Sequence, residues 1–107
     1  MAAQCEGTLF CGADMPGFVG EMNNFTRADF TRANLEGGSF RGAIMRGTIF
    51  RDANLRRVKF DGADLEGADF GGADLRGASF HGVRGLTPLK HAYLRALASV
   101  PKEQTRE

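Results

Sequence analysis

Asp64, Asp69 and Asp74 repeat at a spacing of five and are the first residues in this chain with the types for acid–base chemistry. Two carboxylates act as an acid–base pair only when they flank one substrate bond, about 5 to 10 Å apart. A period of five matches neither a helix nor a strand, so the outcome depends on the element that carries the aspartates. His81 and His91 stand ten residues apart, with no cysteine or carboxylate cluster at ligand spacing beside them, and imply no metal site. Cys5 and Cys11 are too few for a disulfide scaffold and wrongly spaced for zinc. In an oxidising compartment they make one bridge at the N-terminal end; otherwise they are two ordinary thiols. Arg41, Arg46, Arg51, Arg56, Arg57 and Lys59 form the densest basic stretch. No nucleophile elbow, phosphate loop or dinucleotide fingerprint occurs, so no catalytic residue and no cofactor is implied.

The element that positions these groups is legible from the large apolar residues. Phe30, Leu35, Phe40, Met45, Phe50, Leu55, Phe60, Leu65, Phe70, Leu75 and Phe80 recur every fifth position. Eight of the nine phenylalanines fall in that register, and only Gly20 breaks the series from Phe10 onward. Two residues before each large residue sits a small one, such as Ala53, Ala63 or Ala73, with a mostly polar residue between. Small–polar–large is a three-residue strand with two side chains inward and one outward. Glycine at 42, 47, 62, 67, 72, 77 and 82 marks a corner after each straight side. A three-residue strand has no stability of its own, so the sides stack on copies of themselves and the chain winds as a solenoid.

Two patterns predict four sides, or twenty residues, per coil. Phe alternates with Leu or Met from 30 to 80, so a twenty-residue coil stacks Phe30 on Phe50 on Phe70. At that separation opposite-charge pairs such as Glu21–Arg41, Arg41–Asp61, Glu36–Arg56, Arg46–Glu66 and Arg32–Asp52 outnumber the one like pair, Arg56–Arg76. Winding also disposes of the candidate chemistry: Asp64, Asp69 and Asp74 fall on three different sides and project apart. They are expected to bond corner backbone groups or water, and the basic stretch to spread over several faces as solvated surface.

The pentads ANLEG, ANLRR, ADLEG, ADFGG and ADLRG resemble the pentapeptide repeat proteins over roughly residues 8 to 83, nearly four coils. The resemblance implies an all-β solenoid, a right-handed quadrilateral β-helix of about four coils, with Ala and the Phe or Leu positions lining the interior. It implies a non-enzymatic protein that works by binding other proteins, such as a small structural or stabilising subunit of a larger assembly. One branch of the family mimics DNA and binds DNA gyrase, giving quinolone resistance, and that is the alternative reading. Members of that branch are longer, acidic and dimeric, whereas this chain carries a net charge of +1.

Near-neutral charge argues against a nucleic-acid-binding arm. No apolar run is long enough to span a membrane and no secretory signal is visible. A cytoplasmic location is favoured, or an organelle lumen if a targeting peptide was removed. The whole is read as one domain: a tail over 1–7, the repeat over 8–83, a capping α-helix over 87–100 and a tail over 101–107. Thr87 and Pro88 start the helix, and Leu89, Ala92, Tyr93, Ala96, Leu97 and Val100 form an apolar stripe expected to lie on the last coil as a lid. Pro16, Phe18, Val19, Gly20, Met22 and Asn23 violate the repeat, so the first coil is expected to hold a bulged loop or to be distorted. Phe18, Val19, Met22, Ile44 and Ile49 are the candidate partner surface, the partner's identity and the oligomeric state being open.

Overall fold

The computed structural model describes residues 9–99. Parallel pairs join each side to the one twenty residues later, and they define four columns. Face 1 carries Leu9, Asp29, Ile49 and Asp69; face 2 carries Asp14, Asn34, Asn54 and Asp74. Face 3 carries Val19, Ser39, Lys59 and Ser79; face 4 carries Asn24, Ile44, Asp64 and Arg84. Twenty residues per turn is therefore the observed register. Each coil bonds to the next in a fixed pattern. Phe30 N–H donates down to Ile49 O at 2.7 Å, Ile49 N–H donates up to Ala28 O at 2.9 Å, and corner Gly47 N–H donates to Glu66 O at 2.8 Å.

The second residue of each corner takes a left-handed conformation. Glycine suits it, but Met22, Arg27, Arg32, Asp52 and Arg57 hold φ between 57° and 63° without being glycine. Such a residue costs on the order of 1 kcal/mol, which the ladder bonds on either side must override.

The interior is a ladder of rings. Phe50 lies flat between Phe30 and Phe70, each centroid 5.3 Å away, while Phe40, Phe60 and Phe80 stack in the opposite column. Rings of the two columns meet edge to face across the interior, Phe50 to Phe60 at 5.6 Å and 78°. That geometry suits the ring quadrupole. All eleven repeat residues from Phe30 to Phe80 named above are buried. Thr48 takes an interior small position and satisfies its hydroxyl by donating to Phe25 O at 2.8 Å.

The first coil departs from expectation. Its backbone is neither bulged nor distorted: Asp14, Val19 and Asn24 pair in register with Asn34, Ser39 and Ile44. Gly12, Gly17 and Met22 turn its corners with positive φ like every other. Only the side chains are exchanged. Gly20 stands where the Phe40–Phe60–Phe80 column calls for a ring, and Phe18 supplies one from two residues earlier. Its centroid lies 5.8 Å from Phe40 and 6.1 Å from Phe25. A Cβ on Gly20 would sit 2.9 Å from the Phe18 ring. Phe18 is thus packed on the core and leaves the candidate surface.

The helix α1 (Pro88–Ala98) begins as its sequence dictates, with Thr87 Oγ accepting from Lys90 N–H at 3.1 Å. Its contact face is a correction. Leu94 is the buried residue, flanked by half-buried His91, Leu97 and Ala98. These share one side at the i, i+3, i+6 and i+7 spacing. Leu89, Ala92, Tyr93 and Ala96 of the expected stripe face outward, and Val100 lies outside the described residues. Polar anchors select the face: His91 Nε2 sits 3.1 Å from Phe80 O, and Gly77 N–H donates to Ala98 O at 2.8 Å. An apolar stripe alone carries no such directional bonds.

Candidate protein-interaction surface

The carboxylates come first, because the corners fix them. Asp69 Oδ1 accepts from Gly71 N–H at 3.0 Å, and Asp64 and Asp74 accept likewise from Glu66 N–H and Arg76 N–H. Each aspartate therefore closes the turn that follows it. Their second oxygens face the coil above. Arg46, Arg51 and Arg56 reach down with Nε 2.6 Å from Asp64, Asp69 and Asp74 respectively, a stagger of eighteen residues. Ser39 with Glu21, Asn54 with Glu36 and Ser79 with Asp61 repeat the same stagger. The pairs expected at twenty are looser, Arg46 to Glu66 at 3.8 Å and Arg41 to Asp61 at 3.9 Å. Arg57 takes Glu36 at 2.6 Å. The arginines of the basic stretch are thus matched by acids corner by corner.

These contacts depress the carboxyl pKa values. At Asp74 the Arg76 guanidinium foremost, with Arg56 beside it, outweighs partial burial and holds the group well below the usual carboxylate range. Burial would raise Asp64, but the Arg46 guanidinium and the Glu66 N–H outweigh it and leave the pKa lowered. At Asp69 the Gly71 N–H and then Arg51 act in the same direction. A depressed folded pKa contributes stability that is present above the unfolded pKa and is lost as pH falls through the folded one. The unfolding temperature is therefore expected to hold from pH 7 down to about 5 and to fall steadily below about 4. Asp74→Asn should flatten that acid limb in thermal scans from pH 7 to 2. A limb parallel to that of the unsubstituted chain would remove Asp74 as a source.

The same groups are poor catalysts. Asp64, Asp69 and Asp74 lie on faces 4, 1 and 2, each held by an arginine. His81 Nδ1 lies 3.4 Å from Asp61, while His91 belongs to the α1 anchor. Among the described residues no group of three or more His, Cys, Asp or Glu is placed to hold a metal. No helix there is long and apolar enough to cross a membrane. Cys11 is an exposed thiol whose pKa is pushed up chiefly by its hydrogen bond with Asp29. Its expected partner, Cys5, lies outside the described residues.

What remains is apolar surface on the first two coils. Val19 on face 3 is 67% exposed, and Met22 at the next corner is 70% exposed with its sulfur lying over Gly42. Ile44 follows on face 4, one coil down, and is 39% exposed. These three wrap a single edge of the solenoid. Ile49 is half-buried on face 1 between Asp29 and Asp69, a full side away. Leu9, on the same face, is exposed as well.

The model of pentapeptide repeats matches residues 24–62 and 53–84, with eight copies. This chain belongs to the pentapeptide repeat family. Its fold is that family's right-handed quadrilateral β-helix, here with one C-terminal helix. No curated protein matches this pentapeptide repeat chain in sequence. Among solved structures it is similar to HetL, a pentapeptide repeat protein involved in heterocyst differentiation regulation in the cyanobacterium Nostoc sp. strain PCC 7120. The identity is 31%, over 68% of this chain and 36% of HetL, with a TM-score of 0.50. It is similar in fold to QnrB1, a plasmid-mediated fluoroquinolone resistance protein, at 23% identity over 88% of this chain and 44% of that one, with a TM-score of 0.68. A pentapeptide repeat protein of the Arabidopsis thaliana thylakoid lumen aligns over 97% of this chain and 82% of its own length, at 22% identity and a TM-score of 0.50. The chain thus spans about a third of HetL and under half of QnrB1. Pentapeptide repeat proteins are generally structural or interaction modules and not enzymes.

Proposed function

We propose that this pentapeptide repeat protein is a non-enzymatic protein-interaction module, a small stabilising subunit that docks through Val19, Met22 and Ile44, with Ile49 at the margin. The observation that supports it is an exposed apolar edge on coils whose backbone is fully regular. Leaving Val19 and Met22 in water gives folding nothing, and Met22 also keeps a left-handed φ of 63° at a corner where glycine would relax it. Exposed apolar residues that fold stability does not require mark partner surfaces.

The test is the double variant Met22→Asp, Ile44→Asp. Thermal unfolding is expected to stay within a few degrees of the original, because Met22 is largely solvated and Ile44 partly so, on an outward position that Asp64 occupies one coil down. Co-purification of the partner from the native source should be lost. A sharp drop in unfolding temperature would make these residues structural and sink the reading. The alternative, DNA mimicry directed at gyrase, needs acidic faces, whereas arginine occupies four successive corners at 41, 46, 51 and 56. A supercoiling assay with and without a quinolone is expected to show no effect of this protein, and protection of gyrase would reverse the order of the two readings.

A further inference from the structure

The last coil lacks most of the ladder bonds that the earlier coils make. In every earlier coil the N–H of each large residue and the C=O of each small one bond the coil below. On faces 1, 2 and 3 of the last coil, the N–H groups of Phe70, Leu75 and Phe80 and the C=O groups of Ala68, Ala73 and Ala78 find no backbone partner among the described residues. The path of α1 explains this. It runs from the corner at Gly67, which Thr87 adjoins, to the opposite corner at Gly77, whose N–H it caps. A helix on that diagonal buries the side chains of Ala68, Phe70 and Leu75 and leaves the backbone rim beneath faces 1 and 2 uncovered. Two adjoining clefts of about 610 and 730 Å³ lie there and share Ala68, Lys90 and Tyr93. Leu89 and Tyr93, 82% and 58% exposed, form the outer wall.

We propose that this groove binds an extended peptide segment of another protein, added in parallel beneath residues 68–75 as one more stretch of coil. Three features specify the occupant. The edge offers alternating donors and acceptors at strand spacing, which only an extended backbone matches. The inward positions continue the columns of Ala68, Phe70, Ala73 and Leu75, so the segment carries small and large apolar residues in alternation. The groove's cation, Lys90, makes no ion pair within 4 Å among the described residues, and Asp69, the carboxylate it faces, is already held by Arg51. The complementary segment is therefore acidic. Covering an exposed strand edge is favourable in itself, because open edges otherwise recruit strands without selection.

The inference is independent of the Val19–Met22–Ile44 edge, and the experiment keeps the two apart. The probe is a blocked peptide of sequence GADLEGADFGG, which has the required alternation and charge, titrated into the full chain by NMR. Amide exchange at Phe70 and Leu75 is expected to slow by at least about tenfold, with Phe30 and Leu35 unchanged. The same peptide N-methylated at both aspartates should not bind. Leu89→Asp with Tyr93→Asp should abolish binding at an unchanged unfolding temperature, while Met22→Asp should leave it intact. Unslowed Phe70 and Leu75 amides at millimolar peptide would overturn the proposal, as would equal binding of the N-methylated peptide. So would protection of those amides in the free chain, which would assign the groove to this chain's own residues or, if dilution removed it, to a second copy.

Discussion

Phe50→Ala is expected to destabilise the protein by about 3 to 5 kcal/mol, the range for deleting a fully enclosed ring. Phe50 has no exposed surface and touches rings on three sides: Phe30 and Phe70 flat against it, and Phe40 and Phe60 edge-on. A solenoid cannot collapse locally to refill the hole, because each coil is pinned by ladder bonds to the coils on either side. The cost therefore belongs at the upper part of the range. For a domain of this size it corresponds to a fall in unfolding temperature of more than about 10 °C. Arg51→Ala, one residue further on, should leave the midpoint nearly in place, since its pair with Asp69 is solvent-exposed. Equal effects in denaturant titrations of the two variants would show that the division into inside and outside is drawn wrongly.

The contrast between those neighbours explains what the sequence made legible. Inside positions admit few residue types, so the period of five, the alternation of Phe with Leu or Met and the twenty-residue stack could all be read from residue identity. Outside positions admit many types, and there the reading was coarser. Counting charges at a separation of twenty found the loose pair Arg46–Glu66 and missed the tight one to Asp64, because an arginine at a corner leans back over the preceding face. The contact face of α1 was misread for a related reason. Its apolar stripe was visible, but the bonds that orient the helix run from His91 and from a backbone carbonyl, neither of which an apolar pattern reports. The candidate surface was legible in part. Val19, Met22 and Ile44 stand exposed together around one edge, whereas Phe18 was indistinguishable from them until its ring was seen to fill the place of a missing residue.

That replacement supplies the second large effect. Phe18→Ala should empty the top of the Phe40 column and cost about 2 kcal/mol, less than Phe50→Ala because Phe18 is only half-buried. Gly20→Phe alone should also destabilise, by about 1 to 3 kcal/mol, because two rings would compete for one space. A Cβ at position 20 would already sit 2.8 Å from the Phe25 ring and 2.9 Å from Phe18, before the rest of the side chain is added. Together, Phe18→Ala and Gly20→Phe restore the small residue and the large one to the places they hold in the later pentads. The double variant should recover to within about 1 kcal/mol of the original chain, so the coupling between the two sites is large and favourable. Gly38 lies directly beneath, and a Cβ there would come within 2.8 Å of Phe18 O; the first two coils approach closely enough to need glycine at that small position. Because the swap leaves Val19, Met22 and Ile44 untouched, it also separates core from surface. Partner binding should survive in the double variant if the exposed edge alone carries it, and additive losses of stability in the two single variants would mean that Phe18 and Gly20 do not share one site.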